Sequence, residues 1–575
     1  MADDGLSTFT LHRDDQQPII AAINEEVADT STRRPASLAP DEVDPETAAR
    51  RYLREMVARP EVPTPTADVP ADTPEYRTIA TETLPLTDTT TVKFAQYFHR
   101  VPVYGSLVTI ELERDNTLLS ISSTLAEPTG VDPVARVSPL EARDAAHAAA
   151  GIDRAGDDEQ RPRLYYYRDS RAQPPTWRLV YMVRDVLRDA PGDDGGGPTT
   201  IVPDLVDYVV DAHDGGVVAV LPRTQSVGPG ADEEIADDAL GEPRRFRVLP
   251  DGAGRRWLRD PELNVRTHDF EFQDAFGRAH LLPGDGVSAP PEPWSPAAVS
   301  AHANAAEVAR FLVEVLRRDG LDGRGGSYVS SINCVDGPAG ANREWRNAAW
   351  FRGQMIYGQR RVGGQLQSYA AAGDVVAHEI VHGLTDNTAG LEYVTESGAL
   401  NESYSDILGI IIANRNETDI ARWDWELGED LDGTGVPLRD LSDPAHRGQP
   451  AHMDDFLRLP PGVAPSRSND WGFVHSNSGI HNKAAYGVLT ATHADGTHVF
   501  APAEGAALFY LALTQHLSRR SGFDTSRRGV ELAARTLFRR DPPATRAAKL
   551  AAIGEGFDAV GIEGADDATV LAGRG

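Results

Sequence analysis

The stretch AAGDVVAHEIVHGLTD constrains this chain more than any other. His378 and His382 stand four residues apart, so one helical turn puts both imidazoles on the same face, with Glu379 beside them. That spacing suits chelation of one metal ion. The alternative is a surface helix with two chance histidines, in a chain that has 16 of them. The following stretch, SGALNESYSDILGIIIAN, favours the metal. It reads as a second helix with Glu402 and Asp406 on one face, and its apolar run ILGIII marks it as buried, where partnerless carboxylates are costly. A catalytic zinc needs a third protein ligand and an open position. An HExxHxxGxxH continuation is ruled out, because positions 385 and 388 are Thr385 and Thr388. Glu402 can therefore serve as the third ligand, and Asp406 can accept the outer N–H of a ligating histidine. Cys334 is the one cysteine, so neither an intrachain disulfide nor a cysteine-based zinc site is expected.

The 575 residues exceed what one core needs, so several domains are expected. Asp and Glu number 87 against 56 Lys and Arg, a net charge of −31, which disfavours binding to nucleic acid or to an anionic membrane surface. No apolar run approaches the roughly 18 to 20 residues of a membrane helix. The opening MADDGLSTFTLHRDDQQPII has no recognisable export signal.

Residues 1–78, rich in Pro, Thr, Asp and Glu with only short helical hints such as DPETAARRYLREM, read as a mobile leader. From Thr91 the chain alternates, with Val108, Ile110 and Leu112 apolar against Thr109, Glu111 and Glu113, as in half-buried antiparallel strands. SPLEARDAAHAAAG reads as a helix capped by Ser138 and ended by Gly151, followed by the strands RLYYYRD, TWRLVYMV and DYVVDAHDGGVVAVL, with a hairpin at Asp214-Gly215. The acidic, turn-rich segment 224–245 reads as a linker and processing region. Beyond it lie short strands, a long helix near Ser295–Arg318, and a mostly helical region from 371 onward.

HEIVHGLTDNTAGLEYVTESGALNESYSDI closely resembles the zinc-binding stretch of thermolysin-like neutral metalloproteases, including the 20 residues from His382 to Glu402. The resemblance continues through WRNAAWFRGQMIYG, LRDLSDP and DWGFVHSNSGIHNKAAY. Residues 79–132 resemble a fungalysin/thermolysin-type propeptide module, and residues 133–223 a PepSY-type module. The resemblance thus implies an α+β architecture: a two-lobed thermolysin-like catalytic domain preceded by small α+β propeptide modules. Residues 246–390 would form a mixed, β-rich N-terminal lobe with the zinc helix, and residues 391–575 a mainly helical C-terminal lobe.

It further implies a zinc endopeptidase made as a latent precursor, in which Glu379 activates the water, His475 and Tyr393 stabilise the oxyanion, and Asp470 orients His475. Asn347 and the backbone of Ala348 would hold the substrate chain, and Arg439 a substrate carbonyl. Val375 and Leu438 would line a pocket for an apolar residue after the scissile bond. Asp374, Asp424, Glu426 and Glu429 stand at calcium-ligand positions, but Ala413 replaces a shared glutamate, so a paired calcium site is not expected and calcium stays open. The partners implied are protein or peptide substrates and the chain's own propeptide as inhibitor, with a monomeric enzyme acting outside the cell. A zinc- or peptide-binding protein without turnover is the competing reading; pure metal binding, however, needs none of Glu379, Tyr393 and His475. A structural surface protein would leave the motif blocks unexplained.

Overall fold

In the computed structural model of the chain, the residues described are 6–13, 44–57, 75–150, 161–169, 176–188, 204–222 and 232–564, without 252–254, 291, 338–342 and 432–433. The alternating segment folds as a sheet of strands β1 (Leu6–His12), β2 (Glu75–Leu84), β3 (Thr89–Phe98), β4 (Leu107–Leu112) and β5 (Leu118–Ala126), antiparallel in the order β1-β5-β4-β3-β2. One face takes helix α1 (Pro45–Val57), whose Ala49, Tyr52, Leu53 and Met56 pack with Val92, Phe94, Val108 and Ile110. The other face is polar but not solvated, contrary to the half-buried expectation. Lys93 Nζ donates to the Thr514 carbonyl (2.5 Å), Thr109 to the Gln515 carbonyl (3.3 Å), and Thr536 to the Glu111 carboxylate (2.8 Å).

Two segments of the expected leader, 1–78, are therefore structural. Residues 6–12 complete the sheet, running from Leu6 opposite Ala126 to His12 opposite Ser120, and 45–57 supply its apolar cover. Segments this short carry too few apolar residues to be read as ordered; a neighbouring sheet provides the partner. Residues 75–78 open β2, and apart from Arg13 and Asp44 the rest of the leader lies outside the described residues.

The second module places helix α2 (Pro139–Ala150) on a sheet of β6 (Arg163–Asp169), β7 (Thr176–Arg188), β8 (Asp204–Asp211) and β9 (Val217–Pro222). Reciprocal bonds between Ser138 and Glu141 start the helix. In the β8–β9 hairpin, the Gly216 N–H donates to the Asp214 carboxylate.

The expected linker, 224–245, is corrected in part. Strand β10 (Asp232–Asp237) pairs with β11 (Pro243–Pro250), and the acids that suggested an open linker are engaged. Asp238 accepts from Arg244 (3.1 Å) and Glu234 from the Trp294 indole (2.6 Å). Residues 224–231 lie outside the described residues.

Helix α3 (Pro296–Glu314) crosses a sheet whose main strands are β12 (Val265–Asp269), β13 (Tyr328–Ile332), β14 (Trp345–Phe351) and β15 (Gln354–Val362), ordered β12-β13-β15-β14, so β14 is an edge strand. Beside that edge lies α4 (Gly373–Asp386), followed by α5 (Thr395–Ala413), α6 (Asp470–Leu489), α7 (Pro502–Leu511), α8 (Phe523–Leu537) and α9 (Pro543–Asp558). A single core runs from the β-rich lobe into these helices, as the two-lobed reading expects.

Candidate active site

Helix α4 turns Val376, Ile380, Val381 and Leu384 into the core, which leaves His378, Glu379 and His382 toward the cleft. It can lie close to α5 because residue 409 is glycine: a Cβ there would come within 3.4 Å of His378 N. This approach brings Glu402 up to the two imidazoles. His378 Nε2 and His382 Nε2 are 3.1 Å apart, and they lie 3.6 and 3.5 Å from the two Glu402 oxygens. Tetrahedral zinc bonds of roughly 2.0–2.2 Å require donor separations of about 3.3 Å, so the residues fit the ion. Among the described residues no other group of three His, Cys, Asp or Glu converges in this way.

The outer nitrogens are fixed as well. His378 Nδ1 lies 2.8 Å from Asp406, as expected, and His382 Nδ1 lies 2.8 Å from the Asn401 amide oxygen. Both rings are thereby held with Nε2 facing the site. Burial pulls the His382 pKa down to about 4, so the ring stays neutral and the one lone pair, on Nε2, stays available to a metal. Burial also opposes a charged His378, but the hydrogen bond and charge of Asp406 prevail and raise its pKa. Glu402 is fully buried, yet His475, Arg439 and both ligand histidines outweigh that burial and keep it ionised.

Glu379 accepts from the backbone N–H of Trp350 on β14 (3.0 Å), and burial pushes its pKa up to about 7. Across the cleft, Tyr393 donates to Glu402 and lies 3.0 Å from His475 Nε2. His475 stands on a left-handed turn: Asp470, Trp471, Gly472 and Phe473 all have positive φ, at 53°, 50°, 92° and 66°. Such geometry costs roughly 1–2 kcal/mol for each non-glycine residue. It lets the two Asp470 oxygens accept from His475 Nδ1 (2.5 Å) and His475 N (2.9 Å). With Nδ1–H given to Asp470, Nε2 carries a proton only in the imidazolium. Burial opposes that form, but the charges of Glu402 and Asp470 raise the pKa and favour it.

Arg439 reaches the site, but its guanidinium is engaged with Asp406 (2.6 Å) and Glu402 (2.9 Å). Asn347 sits at an irregularity of the edge strand β14, between Trp345 and Ala348, and Ala348 pairs inward with Tyr357. Val375 is buried in the first turn of α4, whereas Leu438 is 53% exposed, so only the latter presents a free apolar surface.

Residues 241–386 match the family model of the thermolysin metallopeptidase catalytic domain, and residues 389–562 that of the thermolysin metallopeptidase alpha-helical domain. Together they span more than half of the chain. The chain belongs to the thermolysin metallopeptidase family. It is similar to bacillolysin of Brevibacillus brevis (29% identical over 497 residues, 83% of each chain) and to thermolysin of Alicyclobacillus acidocaldarius subsp. acidocaldarius (29% over 506 residues, 82% of this chain and 83% of that one). Among solved structures it matches the precursor of protealysin, a metalloproteinase from Serratia proteamaculans (TM-score 0.41, 26% identity, covering 52% of this chain and 87% of that one). As a family member it is a metalloendopeptidase.

The four carboxylates expected at calcium-ligand positions line one cavity of about 470 Å³. Asp374, Asp424, Glu426 and Glu429 are joined there by Ala413, Arg244 and Arg415. Both arginines pair with Glu307, Arg244 at 2.9 Å, so part of the acidic charge is balanced by the chain itself. Burial pushes Asp374 up to about 6 and Glu429 up to about 7, and the nearby charge of Asp430 adds to both.

Asn401 and the Trp350 N–H were not found from the sequence. The Trp350 contact is a backbone group and leaves no trace in residue type. Asn401 did carry a signal, because it opens the run Asn401, Glu402, Ser403, Ser405, Asp406, in which polar residues occupy every side of a buried helix.

Proposed function

We propose that this chain is a zinc-dependent endopeptidase, made as a latent precursor, that cleaves protein chains before an apolar residue. The observation that carries the reading is the convergence of two Nε2 atoms and one carboxylate at zinc-like separations, with Glu379 adjacent and the edge strand β14 alongside. Bound there, zinc supplies a Lewis acid that acidifies water and polarises the scissile carbonyl.

The chain's own groups account for the remaining steps. A substrate strand lies along β14, held by Asn347 and the Ala348 backbone. Glu379 takes a proton from the attacking water as the water oxygen bonds to the carbonyl carbon. Nε2–H of His475 and the hydroxyl of Tyr393 donate to the oxygen as it gains charge, with His475 held by Asp470. Glu379 then passes the proton to the amine nitrogen as the C–N bond breaks. Arg439 exchanges part of its pairing with Glu402 for a substrate carbonyl, and the exposed Leu438 receives the apolar side chain.

Latency is assigned to the two N-terminal modules. The relatives match over 83% of the chain, more than the two catalytic models span, so the modules share their plan. No described helix is long and apolar enough to cross a membrane, and action outside the cell follows the family resemblance. We extend the proposal to one calcium ion in the acidic cavity, the arginine pair standing where a second would compete.

The test compares wild type with Glu379→Ala for casein hydrolysis and self-cleavage, with zinc and after chelation. Turnover lost both in the variant and on chelation is the expected result. A wild-type chain that binds zinc, but hydrolyses nothing even after cleavage between 223 and 232, would leave the zinc-binding protein as the reading.

A further inference from the structure

Behind the zinc site, a line of buried side chains leads from His378 into the helical lobe, and its hydrogen bonds can be directed without ambiguity. His378 Nδ1–H donates to Asp406 Oδ1 (2.8 Å), and Asn482 Nδ2 donates to the other oxygen, Oδ2 (2.8 Å). The Asn482 amide oxygen can only accept, so Ser403 donates to it (2.6 Å). Having spent its one hydrogen, Ser403 Oγ must accept from His481 Nδ1 at 2.7 Å. His481 is then the Nδ1–H tautomer, and its Nε2 accepts from Ser526 (2.8 Å), whose oxygen in turn accepts from Tyr404 (2.7 Å).

His481 is fully buried among Tyr404, Phe523 and Phe557, with ring centroids 5.3 to 5.7 Å away. These walls offer no counter-charge, and burial pushes its pKa down to about 3, so it stays neutral and keeps its one tautomer. A buried neutral histidine touching neither substrate nor metal costs desolvation and needs a compensating use.

We propose that His481 is a positioning residue for the zinc ligand His378, acting through Ser403, Asn482 and Asp406. The line fixes which Asp406 oxygen faces His378 and holds Asn482 in the one amide orientation that can donate to Asp406. The proposal rests on the zinc-peptidase reading above.

The test uses the full chain and measures zinc affinity by competition with a chromophoric chelator, beside a thermal melt. His481→Phe keeps an aromatic ring and removes both nitrogens; it is expected to weaken zinc about tenfold, in the range for groups that orient metal ligands. His481→Asn, whose amide can still donate to Ser403, should recover most of that loss. Phe557→Leu disturbs the same packing without cutting the line, and should lower the melting temperature while leaving zinc affinity within about twofold of wild type. Zinc affinity unchanged in His481→Phe, or reduced equally in Phe557→Leu, overturns the proposal alone. A wild-type chain that takes up no zinc overturns the peptidase reading and this proposal with it.

Discussion

Replacing Glu379 by Gln removes the group proposed to activate water, and it should make the metal-free protein more stable. In the folded chain burial raises this carboxyl from an ordinary 4.5 to about 7, His378 and the Trp350 N–H offsetting only part of the effect. The native state therefore disfavours the carboxylate. Below about pH 4.5 the group is protonated folded or unfolded and the cost is absent. Between 4.5 and 7 the unfolded chain ionises first and the cost grows; above 7 it is constant. At about 1.4 kcal/mol per tenfold, the displacement is worth about 3 kcal/mol, and screening by cleft water lowers this to about 2 kcal/mol. Glutamine can still accept from Trp350 N–H, so the variant isolates the charge.

The assay is urea unfolding of chelator-treated wild type and Glu379→Gln at pH 5 and pH 8, read from the same transition of the catalytic part. The variant should gain about 2 kcal/mol at pH 8 and much less at pH 5, and added zinc should shrink the gain by favouring the carboxylate beside it. A variant no more stable than wild type at pH 8, or a gain independent of pH, refutes burial as the source of the shift.

Three further outcomes are expected. Asn401→Ala leaves the outer nitrogen of His382 with only the longer contact to Ser405 (3.2 Å) and should weaken zinc about tenfold, by chelator competition, with the fold retained. Asp470→Asn removes one of the charges that keep His475 protonated, so the alkaline limb of kcat should move to lower pH; an unmoved limb would mean His475 acts as a neutral ring. Calcium added to chelated, zinc-restored protein should raise the melting temperature, and Asp374→Asn should abolish the rise; no rise in wild type means Arg244 and Arg415 already satisfy the cavity.

The three residues proposed to hold zinc were legible because helical periodicity alone puts His378 beside His382 and Glu402 above Asp406. His475 was legible only by resemblance, since its turn has four consecutive left-handed residues that no pattern in DWGFVH announces. The strand at 6–12 was missed, and the helical pattern at 45–57 gave no sign of being ordered, because each is held by strands that start at residue 75. The hairpin at 232–250 was missed because acids paired with Arg244 and Trp294 look, in sequence, the same as acids in water. For the strand and the helix the deciding contact was long-range, whereas for the hairpin it was a pairing of side chains that residue type alone does not show.

The sheet of the first module explains how a precursor can be firmly assembled and still separable. Its apolar face is covered by its own helix, and the core there, from Leu11 to Leu125, includes no residue of the catalytic lobes. Among the described residues Leu84 joins the catalytic core from this module, with Leu86 packed beside it. The docked face is otherwise served by the hydrogen bonds of Lys93, Thr109 and Glu111 and by Arg539, which donates to the Thr87 carbonyl and pairs with Glu113 (3.3 Å). Each such bond can be exchanged for one to water at a net cost of about 1 kcal/mol, whereas opening an apolar core of similar extent would cost several times more. An intact chain keeps the two halves together by holding their effective concentration high, and a cut between them removes that advantage while leaving both cores closed.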